Sequence, residues 1–156
     1  MRLMLLVASN RQPAWVIDGF NDYAKRLRGG MRLDVEEIPL ARRSSSTLAR
    51  RATEAEGARM LAAIPTGAHV VALTEDGTML STRQLVARFR DWVTAGRPVY
   101  LLIGGPDGLS ASCLARADEQ WSLSRLTLPH GLARIAVAEA LYRAWSVLER
   151  HPYHRE

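Results

Sequence analysis

The chain has 156 residues, 47% of them hydrophobic, which suits one compact domain over residues 1–156 and leaves too little for two independent cores. A lone cysteine, Cys113, excludes an internal disulfide framework and fits a reducing compartment, and no apolar run approaches the roughly 20 residues that cross a bilayer. The formal charge of +5, carried by 20 arginines and the single Lys25, calls for an anionic partner such as RNA, although a bias toward arginine codons would equally explain the Arg:Lys ratio.

Residues 3–8 form an apolar run too short for the core of a signal peptide, and small residues do not follow it. It is expected to be a first buried strand of a cytoplasmic protein. Pro13 then opens a helix to about Arg28, with Trp15, Ile17, Phe20, Tyr23, Ala24 and Leu27 as its apolar stripe and Gly29-Gly30 as its stop. Residues 32–38 alternate as a second strand. Ser44, Ser45 and Ser46 offer N-caps for a helix to about Ile64, which Pro65-Thr66-Gly67 ends. The stretch 41–47, with Arg42, Arg43 and three serines, is a basic loop suited to a phosphate contact.

A third strand covers residues 69–73 and leads into a turn at Glu75-Asp76-Gly77, after which Ser81 or Thr82 caps a helix through Thr94. Residues 99–103 are apolar throughout, the mark of a strand buried on both faces. A short helix at 110–117, a fifth strand with its loop at 121–129 and a last helix from His130 to about Arg150 complete the chain. Strands alternating with longer helical segments predict an α/β fold, a parallel sheet with flanking helices.

Two loops carry candidate chemistry. Strand four runs into Gly104-Gly105-Pro106-Asp107-Gly108, a glycine-rich turn at the carboxyl end of a buried strand, where open α/β sheets bind ligands. Its glycine spacing is not the dinucleotide fingerprint, and it lacks the Lys-Ser/Thr pair of a P-loop. The second loop, residues 121–130, offers backbone groups beside an apolar wall, a surface that grips an adenine edge without charged side chains. Taken singly, each loop reads as an ordinary connection.

The remaining candidates have plain structural readings as well. His151 and His154 would lie on a frayed terminus, and without cysteines or carboxylates at ligand spacing they make no metal site. Glu139 and Arg143, four apart, suit a helix salt bridge. His130 is read as the structural start of the last helix, the alternative being a face toward a cofactor, and Cys113 as a small buried hydrophobe.

Together, residues 99–110, residues 121–130, Leu141-Tyr142-Arg143-Ala144 and the tail His151-Pro152-Tyr153-His154-Arg155-Glu156 closely resemble the ribosomal RNA large subunit methyltransferase H family, of the SPOUT class of knotted methyltransferases. The resemblance runs the length of the chain, with Pro13-Ala14-Trp15 and Glu37-Ile38-Pro39 as weaker echoes. It implies a C-terminal trefoil knot, S-adenosylmethionine as cofactor, no metal, a homodimer, and methylation of N3 of a pseudouridine in bacterial 23S rRNA within the assembled ribosome. The cofactor would be held by Leu73, by Gly104 and Gly105, and by Leu123, Ser124, Arg125, Leu126, Thr127 and Leu128. Thr74 stands where the family often has an acid, so the resemblance carries a backbone contact at Leu73 and no side-chain role at Thr74.

On the substrate side it implies His154 as base, Arg155 and Arg143 as electrostatic partners and Tyr153 as a stacking or hydrogen-bonding group. The apolar residues of the last helix exceed one core stripe, and part of that surface is expected at the dimer contact. Two other readings stay open at this point: a SPOUT enzyme with a different RNA target, and a non-catalytic ribosome-associated RNA-binding protein for which the basic charge suffices.

Overall fold

Five strands, β1 (Arg2–Ala8), β2 (Arg32–Ile38), β3 (His69–Met79), β4 (Val99–Ile103) and β5 (Glu119–Ser122), form one sheet in the order β2-β1-β4-β3-β5. Every neighbouring pair is parallel. The structure, a computed structural model, describes residues 1–44 and 46–155. The expected α/β architecture is therefore present.

Parallel strands cannot be joined by hairpins, so helices fill the crossovers and cover both faces. Helices α1 (Ala14–Ala24), α3 (Thr82–Ala95) and α5 (His130–Leu148) share one face, where Leu3, Leu5, Val7, Val71, Val99, Leu101 and Ile103 meet Phe20, Phe89, Trp92 and Leu141. Helices α2 (Ser46–Ala62) and α4 (Ala111–Arg116) cover the other, where Met4, Leu6, Val70, Tyr100 and Leu102 meet Met60 and Cys113. Alternate residues of the same strand thus feed opposite layers, and both layers are apolar. That is why β1 and β4 read as continuous hydrophobic runs. Cys113 is fully buried, as its composition suggested.

Local signals set the boundaries. Ser81 caps α3 with a reciprocal capping box: its hydroxyl accepts from the Gln84 amide, and the Gln84 side chain accepts from the Ser81 amide. Ser110 caps α4 in the same position, accepting from the Cys113 amide. The expected cap of α2 at Ser45 lies outside the described residues.

Two expectations are corrected. On α1 the core-facing residues are Val16, Phe20 and, past the helix end, Leu27, whereas Trp15 is 57% exposed. The helix begins one residue after Pro13, and the i, i+4 spacing runs from Val16, which turns Trp15 outward. The second correction concerns Glu75-Asp76-Gly77, which is no turn. Strand β3 continues to Met79, and Leu73 and Thr78 both register with Trp121 of β5, so that residues 74–77 form a bulge.

Gly77 makes this bulge possible. A Cβ placed there would lie 2.4 Å from the carbonyl carbon of Trp121, inside the backbone of the neighbouring strand. Trp121 in turn stacks on Trp92 of α3, with ring centroids 5.5 Å apart and planes 13° from parallel. Gly77→Ala is expected to force β3 and β5 apart and to cost about 3 kcal/mol of stability, measured by urea unfolding.

Candidate functional site

Because the strands are parallel and in register, the carboxyl ends of β3, β4 and β5 arrive at one edge of the sheet, with Leu73 opposite Ile103 on one side and Trp121 on the other. A cleft of about 600 Å³ opens there, within the size range of small-molecule sites. Its walls come from the β3 bulge (Leu73, Thr74, Glu75), the turn after β4 (residues 104–109), the loop after β5 (residues 122–124 and 126–128) and the first turn of α5 (His130, Ala133).

Of the nine cofactor-contact residues expected from the sequence, the cleft gathers eight: Leu73, Gly104, Gly105, Leu123, Ser124, Leu126, Thr127 and Leu128. Arg125 is exposed and is not among the lining residues. The β4 turn closes tightly. The Gly108 amide donates to the Gly105 carbonyl at 3.0 Å, Pro106 occupies the second position, and Gly108 has a φ of +80°. At Gly104 a Cβ would lie 2.4 Å from the Gly108 carbonyl carbon, so only glycine lets the chain leave β4 and double back.

The loop after β5 leaves the sheet at Ser122 and is held by its own hydroxyls. Ser122 donates to the Ser124 carbonyl at 3.0 Å, and Ser124 accepts from the Leu126 amide at 2.9 Å. Leu126 remains 78% exposed on the cleft rim, an apolar surface suited to a flat ring.

Sequence reasoning missed the support behind the turn. Arg43, expected to be a solvated phosphate contact, instead donates to both Glu56 oxygens, at 2.6 and 2.9 Å, and to Asp107 at 2.7 Å. Glu56 is 2% exposed and also accepts from the Ala41 amide. These hydrogen bonds hold the Arg43 guanidinium charged, with its pKa raised, foremost through Glu56. A carboxylate on α2 thus ties residues 41–43 to the glycine turn, whereas Arg42 beside it is exposed. Arg43→Met strands a buried carboxylate and is expected to cost about 3–5 kcal/mol, read by chemical unfolding.

The tail is docked and not frayed. Arg150, with a φ of +54°, ends α5 in a Schellman motif: the His151 amide donates to the Ser146 carbonyl and the Arg150 amide to the Val147 carbonyl. The chain reverses into a short 3-10 helix, Pro152–Arg155, that lies back along α5. There the Tyr153 hydroxyl donates to Glu139 at 2.9 Å, and the Tyr153 ring lies 4.5 Å from that of Tyr142. Burial and the Glu139 carboxylate raise the Tyr153 pKa, so the phenol stays protonated.

Arg143 donates to the same Glu139 and sits 4.9 Å from the Tyr153 ring centroid. Glu139 and Arg143 do pair as helix neighbours, and they also anchor the tail. His154 Nδ1 is 2.6 Å from the His151 carbonyl, a contact that requires the hydrogen on Nδ1 and leaves Nε2 as the basic nitrogen of the neutral ring. Arg155 is exposed, and Glu156 lies outside the described residues.

Among the described residues, tail and cleft do not meet within one chain. None of the cleft's lining residues belongs to the tail. Glu139, which holds Tyr153, is nine residues along α5 from His130, about 13 Å at the helical rise of 1.5 Å. Among the described residues no helix is long and apolar enough to span a membrane, and no group of three or more His, Cys, Asp or Glu side chains is placed to hold a metal.

Comparison with known proteins agrees with this geometry. Residues 1–154 match the model of a family described as predicted SPOUT methyltransferase. The chain is 50% identical to a ribosomal RNA large subunit methyltransferase H of Thioalkalivibrio sulfidiphilus and 47% identical to one of Hahella chejuensis, each over the full length of both chains. Among solved structures, it superimposes on a protein of Neisseria gonorrhoeae assigned to a methylase family, with a TM-score of 0.57 at 14% identity, covering 90% of this chain and 81% of that one. At that identity the likeness shows the fold alone. From the family match and the full-length relatives, the chain belongs to the SPOUT methyltransferase family, in the ribosomal RNA large subunit methyltransferase H group.

Proposed function

We propose that this chain transfers a methyl group from S-adenosylmethionine to N3 of a pseudouridine in 23S rRNA, acting as a homodimer on the assembled ribosome in the cytoplasm. The observation that carries the reading is the convergence of three loops on one cleft, in a chain about half identical over its whole length to ribosomal RNA large subunit methyltransferase H proteins. The cleft fits the cofactor. It has the volume, an apolar rim at Leu123 and Leu126, a turn that only glycine can make, and buried polar atoms without protein partners at Thr74 and His130.

When bound, the sulfonium cofactor supplies an electrophilic methyl that needs neither metal nor covalent enzyme intermediate. What the chain must add is a deprotonated acceptor held in line. The imide N3 is largely protonated at neutral pH, so a base removes its proton while a cation stabilises the anion. His154 suits the first task, because its Nδ1 is engaged and Nε2 is left to accept. Arg155 and Arg143 suit the second, and Tyr153, protonated and presented as a ring, suits stacking on the base.

Their separation from the cleft of their own chain favours a homodimer in which one subunit's tail serves the other's cofactor. Exposed Trp15 and Leu132, on the α1 and α5 layer, offer apolar surface for that contact. The crossover from β4 over β3 to β5, followed by return of α5 to the opposite face, supplies connectivity that a trefoil knot requires.

Purified protein with labelled S-adenosylmethionine is expected to label ribosomes that lack the modification, in the large-subunit RNA. Absence of label on both ribosomes and naked 23S rRNA would sink the activity and favour a non-catalytic RNA-binding protein. His154→Ala and Arg155→Ala are expected to lower turnover by about 10²- to 10⁴-fold with cofactor affinity nearly intact, measured by single-turnover labelling and calorimetry. Loss of cofactor binding instead would move the tail's role to the cofactor pocket.

A further inference from the structure

Among the described residues, the buried side-chain atoms without a partner are Thr74 Oγ1, Trp92 Nε1, His130 Nδ1 and Arg134 Nε. Two of these belong to cleft-lining residues, and Arg134 stands one helical turn beyond His130 on α5. Native proteins pair nearly all their buried polar atoms, so a concentration of orphans around one cleft marks a place built for something further to bind.

Arg134 is 1% exposed and fixed from β2 and from the residue that follows β1: Nη1 donates to Glu37 at 2.9 Å and Nη2 to the Ser9 hydroxyl at 3.1 Å. Its Nε–H is the unspent donor. His130 is half-buried beside this cation, and burial together with Arg134 holds the imidazole pKa below its ordinary value, so the ring is neutral at pH 7. A neutral imidazole carries one hydrogen and one lone pair. The buried Nδ1 lies in the field of a guanidinium with an unused donor, which favours the lone pair there and the hydrogen on Nε2. His130 is also the first residue of α5, a helix of 19 residues whose positive end favours anionic groups.

We propose that His130 is a further binding residue of this cleft, its Nε2–H donating to the carboxylate of the bound methyl donor, with Arg134 fixing the tautomer from behind. The inference rests on the cofactor reading above and adds to it the group that recognises the amino-acid end of the ligand. A neutral donor backed by a buried cation and a helix terminus attracts a carboxylate. It gives no comparable advantage to the adenine or the ribose, which the backbone loops are left to hold.

The test is calorimetry with S-adenosylmethionine and with its decarboxylated analogue, which keeps the sulfonium, the amine and the nucleoside. The unaltered protein is expected to bind the first more tightly than the second. His130→Phe is expected to weaken S-adenosylmethionine binding about tenfold to a hundredfold and to leave the analogue's affinity unchanged. His130→Gln, which keeps a donor, is expected to retain most of the preference. Should His130→Phe fail to fold by circular dichroism, His130→Ala takes its place with the same expectation. Equal weakening of both ligands, or no weakening of either, overturns the role of His130 while leaving the cofactor reading standing. Failure of the unaltered protein to bind either ligand overturns the cofactor reading itself.

Discussion

The cleft depends on a single topological constraint: β3 is flanked on both sides by strands that come later in the chain, and both run parallel to it. Parallel pairing sends the carboxyl ends of all three strands to the same edge. The three loops that leave those ends therefore cannot avoid one another. Had β5 paired antiparallel to β3, the segment after Ser122 would emerge at the opposite edge and the cleft would lose a wall. The bulge at residues 74–77 belongs to the same constraint, since it lets β3 continue along β5 while lifting Thr74 and Glu75 into the cleft.

Much of this was legible in the sequence. Strands buried on both faces announce themselves as continuous apolar runs, and the Ser81 and Ser110 caps lie where hydroxyl residues precede a helical period. The β4 turn was visible from its glycines. Less legible were features whose cause lies far away in the chain. Nothing local tells that Gly77 abuts the backbone of Trp121, or that Arg43 belongs to a carboxylate thirteen positions on and an aspartate beyond β4. Trp15 was misplaced because a broad apolar stretch allows two stripes, and only packing against the sheet chooses between them.

The tail shows the limit of reading a terminus by composition. Five polar or aromatic residues and a proline after a long helix suggest disorder. Here the left-handed Arg150 reverses the chain, and Tyr153 returns to a carboxylate fourteen positions earlier. Order at the terminus comes from long-range pairing of that phenol with Glu139 and of its ring with Tyr142 and Arg143. What presents the imidazole of His154 is thus a folded element, held independently of the cleft.

The strut of Arg43 has a consequence for how this protein meets a polyanion. Of the 20 arginines, Arg43 is spent on the buried Glu56 and the surface Asp107, Arg134 is sealed between Glu37 and Ser9, and Arg143 is committed to Glu139. None of these guanidiniums can displace condensed counterions from a nucleic-acid backbone while it keeps its protein partners. The ionic-strength dependence of association therefore reports a smaller set of cations than the arginine count suggests, drawn from exposed positions such as Arg42 and Arg125. Most of the other arginines are exposed, so the molecule keeps a broad cationic surface, and the composition overstates its counterion release only by the guanidiniums locked into scaffolding.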